Sequence, residues 1–542
     1  MNFHDKVVYQ IYPKSFQDSN GDGWGDLQGI TSRLDYLKEL GVDYLWLTPV
    51  FPSPQRDNGY DVADYRAIDP RFGTMADLEE LIAESDKRGM GLMFDMVFNH
   101  TSTSHAWFQK ALNGDEKYMN YYIFRDGTPD APPTNWQSKF GGPAWEYVPK
   151  LRKWYLHLFD VTQADLNWEN PEVRAELKEI LCFWKQKGIK GFRFDVVNLI
   201  SKGEYRDDFE GDGRRFYTDG PRVHEFLKEI VQDSGIDGMI TVGEMSSTTI
   251  ENCIRYSNPE EHELSMTFSF HHLKVDYKHG DKWSLMEPDI HALKEIFAKW
   301  QEGMEQGGGW NAVFWCNHDQ PRIVSRLGDT KTYWQESAKM LAAAIHLMRG
   351  TPYIYQGEEI GMTNADFTNI HEYRDVESLN YHDILRKSGL TEEKTMKIIE
   401  TRSRDNSRTP MQWAAGQEAG FTTGTPWLGV NRNHEKINAE QEEKDDSSIL
   451  SFYKELIRLR KNLPVIAEGS IHFMERENDD VLAYERELGS EKMLVFCNFR
   501  PQEVSLHESL LTYAEEGWQK LLGNYPECRA QLRPYEVVVL KK

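Results

Sequence analysis

From Val7 to Tyr12 the chain is apolar, β-branched or aromatic at every position but Gln10, which predicts a buried strand. Behind it Leu27, Ile30, Leu34, Leu37 and Leu40 recur at helical spacing on one face, and Gly41 marks the stop. The alternation repeats with a strand over 42–50, a helix near Met75 to Arg88 closed by Gly89, and a strand over 91–99. Asn170-Pro171 reads as an N-cap followed by a first-turn proline. The helix it opens carries Val173, Leu177, Ile180, Leu181 and Trp184 on one face and ends at Gly188. A strand over 191–197 follows, with further strands at 239–244, 264–270, 312–317 and 352–356. Strands alternating with helices in this way predict an α/β fold, a (β/α)₈ barrel.

Two segments break the alternation. Residues 101–169 are rich in Gly, Pro, Asn and aromatics, as in Pro132-Pro133-Thr134-Asn135-Trp136, and predict a small domain inserted after the third strand. From about 466 the pattern becomes all-β, with strands over 481–487, 493–498 and 537–540 and a turn at Leu488-Gly489-Ser490. The expected organisation is a catalytic barrel over 1–100 and 170–465, an inserted domain over 101–169 and a C-terminal antiparallel β-sandwich over 466–542. The acidic run from Glu442 to Asp446 reads as a solvated loop.

The 542 residues are more than one small core uses, in keeping with several domains. No run of eighteen apolar residues exists to span a membrane, and Met1 to Lys6 lead into the first strand without a signal-peptide core. Five scattered cysteines with no CxxC pair point to reduced thiols and a cytoplasmic protein. A net charge of −24 argues against nucleic acid or an anionic membrane as partner. An anionic small-molecule substrate would then need a locally basic pocket.

Barrel enzymes place their chemistry at the C-terminal ends of the strands. Here those ends read Asp95-Met96-Val97-Phe98-Asn99-His100, Gly191-Phe192-Arg193-Phe194-Asp195, Val242-Gly243-Glu244 and Asn317-His318-Asp319. Any one of these acids could be a helix cap or half of an ion pair; carboxylates at four strand ends converging on one mouth point to chemistry. Glycoside hydrolysis needs one carboxylate to attack the anomeric carbon and one carboxylic acid to protonate the leaving oxygen. Arg193 lies two residues before Asp195, on the same face of the strand, where it can hold that carboxylate ionised. Negative neighbours should instead keep Glu244 protonated. His100 and His318 are suited to donate to sugar hydroxyls, and no GxSxG elbow suggests a serine nucleophile.

The segments DMVFNH, GFRFD, VGE and NHD resemble the α-amylase family, glycoside hydrolase family 13, over essentially the whole chain. The resemblance implies that Asp195 is the nucleophile, Glu244 the acid/base and Asp319 the stabiliser of the transition state. Gln163-Ala164-Asp165-Leu166-Asn167 is similar to the QPDLN segment of the oligo-1,6-glucosidase subgroup, with Ala164 in place of proline. In exo-acting members, the positions read as Asp61 and Arg404 grip the terminal glucose and Tyr60 stacks on it; Phe159 is a further pocket candidate. The loop Asp18-Ser19-Asn20-Gly21-Asp22-Gly23-Trp24-Gly25-Asp26 has oxygen side chains at alternate positions, as calcium or magnesium loops do. Gly29 stands where an EF-hand has its glutamate. The resemblance implies a structural Ca²⁺ held by Asp18, Asn20, Asp22, the Trp24 carbonyl and Asp26, and no organic cofactor.

Three further stretches, 211–221, 243–248 and 271–277, resemble the branch of that family acting on trehalose 6-phosphate. They and their surroundings add Lys202, Arg214, Arg215, Lys274 and Lys282 after the fourth and sixth strands, where a phosphate on the leaving glucose could be held. The expected activity is hydrolysis of this phosphorylated disaccharide to glucose and glucose 6-phosphate, for which a monomer would suffice. A neutral oligo-1,6-glucosidase or dextran glucosidase is the alternative with the same scaffold. A non-catalytic amylase-like binding subunit would carry a membrane span and lack the carboxylates, and neither feature is present.

Overall fold

The computed structural model describes residues 3–542; Met1 and Asn2, the start of the segment read as lacking a signal core, lie outside the described residues. Eight parallel strands close a barrel: β1 (Val8–Ile11), β2 (Tyr44–Leu47), β3 (Gly91–Met96), β4 (Gly191–Phe194), β5 (Ile240–Met245), β6 (Met266–Ser269), β7 (Asn311–Val313) and β8 (Thr351–Tyr355). Closure comes from β1, which pairs with β2 through Val8↔Tyr44 and with β8 through Val8↔Tyr353. Strands covered on both faces read as continuous apolar runs, which is why every residue of β1 and of β4 is buried.

Helix Pro171–Lys187 shows how the sequence builds the outer ring. The Asn170 side chain accepts from the Glu172 amide, Pro171 occupies the first turn, and Gly188 ends the helix at φ +105. Its buried stripe is Val173, Leu177, Ile180, Leu181 and Trp184, and the Trp184 indole donates to the Tyr65 carbonyl at 2.8 Å. The first helix departs from its expected single span. It divides at Arg33 into Leu27–Ser32 and Leu34–Leu40, where the Arg33 guanidinium turns back to Gln17 and lies 4.1 Å over Trp413.

The insertion is rooted at the barrel mouth. His100–Ser102 pairs antiparallel with Gln163–Asp165, and Phe124–Asp126, Lys153–Leu156 and Trp145–Val148 form a three-stranded sheet. Its core of Trp136, Trp145 and Leu158 is shared with Val196, Leu199 and Tyr217, which follow β4.

Five antiparallel strands make the C-terminal sheet, β9 (Ser470–Met474), β10 (Val481–Leu488), β11 (Glu491–Asn498), β12 (Gln519–Gly523) and β13 (Val537–Lys541), in the order β9-β10-β11-β13-β12. Opposite this sheet the layer is mostly irregular, its antiparallel pairing among the described residues being the bridge Val504↔Leu532. One face docks on the barrel, where Tyr484 donates to the Ala344 carbonyl at 3.0 Å and Arg486 to that of Leu347 at 2.6 Å. The other packs against Val504, Leu510 and Leu532 from the segment between β11 and β13. The acidic run at 442–446 is also not simply solvated. Glu442 is buried and accepts the amides of Ile449 and Leu450, so it caps helix Ile449–Asn462. Among the described residues no helix is long and apolar enough to cross a membrane.

Candidate active site

One buried arginine gathers three carboxylates at the mouth of the barrel. Arg193, on β4, donates from Nη1 to Asp95 at 2.6 Å and to Asp195 at 2.7 Å, and from Nη2 to Glu244. Asp95 on β3 is fixed further by the Tyr60 hydroxyl at 2.9 Å and the Trp46 indole at 3.2 Å. Val196, directly after Asp195, has φ +35, a conformation a β-branched residue rarely adopts and one that concentrates strain beside the reacting group. Asp319 stands opposite, 2.7 Å from Arg408 and 3.3 Å from Arg404. Gln10 donates to His318 Nδ1 at 2.8 Å, which leaves the ring proton on Nε2, 3.4 Å from Asp319.

Burial dominates the ionisation of this cluster. Loss of hydration raises Glu244 to about 8; Arg193 opposes the rise, while Asp195 and Asp319 add to it. The same burial, opposed by Arg193 and assisted by Asp95, places Asp195 at about 6. Glu244 also hydrogen-bonds Asp195, so the two carboxyl groups are near neighbours and Glu244 is the one that keeps the proton. For Asp319, burial is outweighed by His318, Arg404, Arg408 and Lys282, which hold it well below the usual carboxylate range. Because His318 is itself pushed down to about 3, the two arginines and the lysine carry the positive charge near neutral pH.

The sugar-binding end differs from the expected arrangement in one residue. Arg404 pairs with Asp57 at 3.0 Å and with Asp375 at 2.6 Å, not with Asp61. Asp61 is fully buried and occupied with Ser53 Oγ and the amides of Arg56 and Asp57, so it shapes the turn that presents Asp57. Asp57, Tyr60, Phe140, Phe159 and Arg404 line a cleft of about 220 Å³ that reaches Asp195 and Glu244. That volume is small beside the roughly 300–1,000 Å³ of common ligand pockets. His100 borders it, but its Nε2 already donates to the Tyr60 carbonyl at 3.1 Å and its Nδ1 accepts from Asn99 at 3.2 Å. Its ring therefore serves as wall, 5.2 Å from Phe159, and is not a free donor.

Of the five basic residues expected around a phosphate, the structure brings Lys274 and Lys282 to the cleft. Lys202 is excluded: it is buried, paired with Asp165 at 2.8 Å, and donates to Asn99 and to the Leu199 carbonyl, which uses all three ammonium protons. Arg215 points away, paired with Asp208 and Glu210 at 2.6 Å each. Arg214 is exposed and chelated by Asp212, yet it is close enough to lower the pKa of both Lys274 and Lys139. Lys139, from the insertion, was not singled out in the sequence. It is half-buried and donates to Ser246 Oγ at 3.2 Å, two residues past Glu244. Burial first, then Arg214 and Lys274, lower it to about 8. Asp57, Asp375 and Arg408 were missed as well. Asp57 lies within four residues of the residue chosen in its place, whereas nothing local distinguishes Asp375.

In the Asp18–Asp26 loop, Asp18 accepts the amides of Asn20, Gly21 and Gly23, Asn20 accepts that of Asp22, and Asp22 accepts that of Trp24. Asp26 caps helix Leu27–Ser32 through the Gly29 amide. Among the described residues no three His, Cys, Asp or Glu side chains form a metal-holding group. A cation here would therefore depend on Asn20 and on the Trp24 carbonyl as well as on the acids, an all-oxygen set suited to a hard ion.

A parallel barrel with a protonated carboxyl beside an arginine-held carboxylate, and a third acid kept ionised across from them, has the equipment of a glycoside hydrolase. The chain belongs to the α-amylase family, as its strand-end segments implied: residues 10–469 match the α-amylase catalytic domain and residues 471–539 the maltogenic amylase C-terminal domain. It is 53% identical to trehalose-6-phosphate hydrolase of Bacillus subtilis, over 99% of this chain and 97% of that protein. It is 47% identical to oligo-1,6-glucosidase of Bacillus cereus, over 99% and 98%. The crystal structure of Bacillus licheniformis trehalose-6-phosphate hydrolase superposes with a TM-score of 0.94 at 52% identity, covering 99% of each chain.

The ionisation order predicts a bell-shaped dependence of kcat/KM on pH. Below about 6 Asp195 gains a proton and cannot attack, and above about 8 Glu244 loses the proton it must donate. Asp319 stays ionised throughout. A rate that rises steadily through pH 8 and beyond would show that Glu244 is not the acid.

Proposed function

We propose that the enzyme hydrolyses α,α-trehalose 6-phosphate to glucose and glucose 6-phosphate with retention of configuration. The unphosphorylated ring occupies the closed end, where Asp57 and Arg404 hold its hydroxyls and a phosphate would meet Asp57 and Asp375. Asp195 attacks its anomeric carbon while Glu244 protonates the bridging oxygen, releasing glucose 6-phosphate. Water, deprotonated by Glu244, then displaces Asp195 and frees glucose. Arg193 binds both carboxyl groups through one guanidinium. A shared guanidinium brings the two carboxyl groups close together, as the ~5–5.5 Å separation of retaining enzymes requires. Initial release of α-glucose, read by NMR, is the expected outcome; β-glucose would rule the double displacement out.

The observation that carries the substrate is a cationic group on the leaving-group side of a protein whose net charge is −24. Lys139, Arg214 and Lys274 act on one another electrostatically around Ser246. Lys282 borders the same cleft, paired with Glu377 at 2.6 Å. Burial first and Arg214 second lower both lysines, so a dianionic ligand between them would be stabilising, and the name of the Bacillus subtilis relative supplies the candidate. Charge-assisted hydrogen bonds contribute about 1.5–3 kcal/mol each. Lys274→Ala should therefore cut kcat/KM for trehalose 6-phosphate by roughly ten- to a hundredfold and leave neutral trehalose, a poor substrate, nearly unaffected. If isomaltose outperforms trehalose 6-phosphate in the wild type, the oligo-1,6-glucosidase reading replaces this one.

A reducing, cytoplasmic setting fits five cysteines that are all unpaired. We also propose that the Asp18–Asp26 loop binds a structural Ca²⁺ through Asp18, Asn20, Asp22, Asp26 and the Trp24 carbonyl. The side-chain-to-amide bonds that curl the loop support this, and the ion would supply rigidity and no chemistry. A ligand held only by the folded state stabilises it by about 2.7 kcal/mol at a hundred times its Kd. Calcium should therefore raise Tm, and Asp22→Ala should abolish that response. A Tm indifferent to calcium and to chelator would remove the metal.

A further inference from the structure

Lys14 is a buried cation with no part in the chemistry above. Its ammonium lies 3.9 Å from the ring centroid of Trp24 and 3.8 Å from that of Trp427, held between two indole faces. It donates to Asn58 Oδ1 at 3.0 Å and reaches Gln55 Oε1 at 3.5 Å. Burial, then Arg408 and Arg71, lower its pKa to about 7, against the pull of Asp405 and Asp61.

Both residues whose side-chain oxygens it faces have left-handed backbones, Gln55 at φ +62 and Asn58 at φ +50, with Gly59 at φ +105 beside them. Such a turn persists only where its surroundings over-determine it. Asp61 fixes it from within, through Ser53 Oγ and two amides. Lys14 fixes it from outside, and Asp57, the partner of Arg404, lies between Gln55 and Asn58. On its other side Lys14 rests on Trp24, a member of the Asp18–Asp26 loop. Trp427 is tied to that loop by its amide, which donates to the Gly23 carbonyl at 3.0 Å.

We propose that Lys14 is a positioning residue that couples the Asp18–Asp26 loop to the glucose-binding end by holding the turn that aims Asp57 at Arg404. This rests on reading Asp57 and Arg404 as the grip on the terminal glucose. The residue acts through Asp57, so its loss should weaken sugar binding and spare the acid–base machinery.

The test is a double-mutant cycle of Lys14→Met and Asp57→Asn in the full chain, with Lys14→Arg as the conservative variant. The readouts are the inhibition constant of glucose, and KM and kcat on p-nitrophenyl α-glucoside. Lys14→Met removes a cation between two aromatic faces and a charge-assisted hydrogen bond, so the glucose Ki and KM should rise about tenfold, with kcat within about threefold. Lys14→Arg should recover most of the loss. The double variant should bind glucose no worse than Asp57→Asn alone, since contacts in one network are non-additive. If Asp57→Asn weakens glucose and Lys14→Met does not, or if the two effects simply add, Lys14 is not acting through Asp57 and the proposal falls. If Asp57→Asn itself leaves the glucose Ki unchanged, the grip is elsewhere, and the reading of that pocket falls first.

Discussion

The site depends on a single buried guanidinium serving three carboxyl groups. Arg193 is 1% exposed and carries one positive charge, while Asp95, Asp195 and Glu244 would carry three negative ones. Three buried anions on one cation cannot all stay ionised, because the desolvation of each far exceeds what a shared partner returns. A proton must remain in the cluster. Glu244 holds it because burial penalises its anion most and because Asp195 and, from across the cleft, Asp319 repel that anion. The division of labour between nucleophile and acid thus follows from a shortage of positive charge.

The opposite wall solves the converse problem. Asp319 and Asp375 face Arg404 and Arg408, with two guanidiniums for two carboxylates before Asp57 is counted. Both acids are held below their usual range, so Asp319 remains an anion at any pH where the enzyme could work. A fixed negative charge at that position favours a substrate carbon becoming positive in the transition state and gives little to a neutral ground state, which is how electrostatic preorganisation accelerates a reaction. The arginines also come from one short segment, 404–408, which accounts for the coordination of sugar grip and charge balance.

The barrel, the carboxylates at its strand ends and Arg193 were legible in the sequence because they are local statements. Each strand announces its own burial, and Arg193 and Asp195 share a face by their spacing of two. What could not be read were partnerships across the chain. Lys202 looks available for phosphate in the sequence, but Asp165, far from it along the chain, holds it. Arg214 and Arg215 are partly claimed by Asp208, Glu210 and Asp212, acids whose proximity in sequence was visible but whose geometry was not. Asp57 and Asp61 lie in one polar turn and look alike in sequence; only the turn's left-handed residues decide which carboxylate faces outward. The C-terminal sheet was half visible for a similar reason. β10 and β11 carry unbroken apolar runs, Val481–Tyr484 and Met493–Cys497, buried on both faces, whereas the edge strand β12 is half-buried along most of its length and has no clear pattern to read.

The insertion explains why the leaving-group side escaped the sequence more than the glucose side did. A barrel supplies functional groups at predictable places, the ends of its strands, so the carboxylates can be located from residue order alone. The inserted segment supplies Lys139, Phe140 and Phe159 from irregular backbone whose direction is set by tertiary contacts. Lys139 reaches Ser246 because Ser138, beside it, donates to the Phe159 carbonyl at 2.7 Å and its own amide donates to the Leu158 carbonyl at 2.8 Å. Those bonds fold 138–140 back within reach of the segment that follows Glu244. The strand ends thus supply the carboxylates, while the cations on the leaving-group side come from connecting segments, Lys139 from the insertion and Arg214, Lys274 and Lys282 from the loops after β4 and β6.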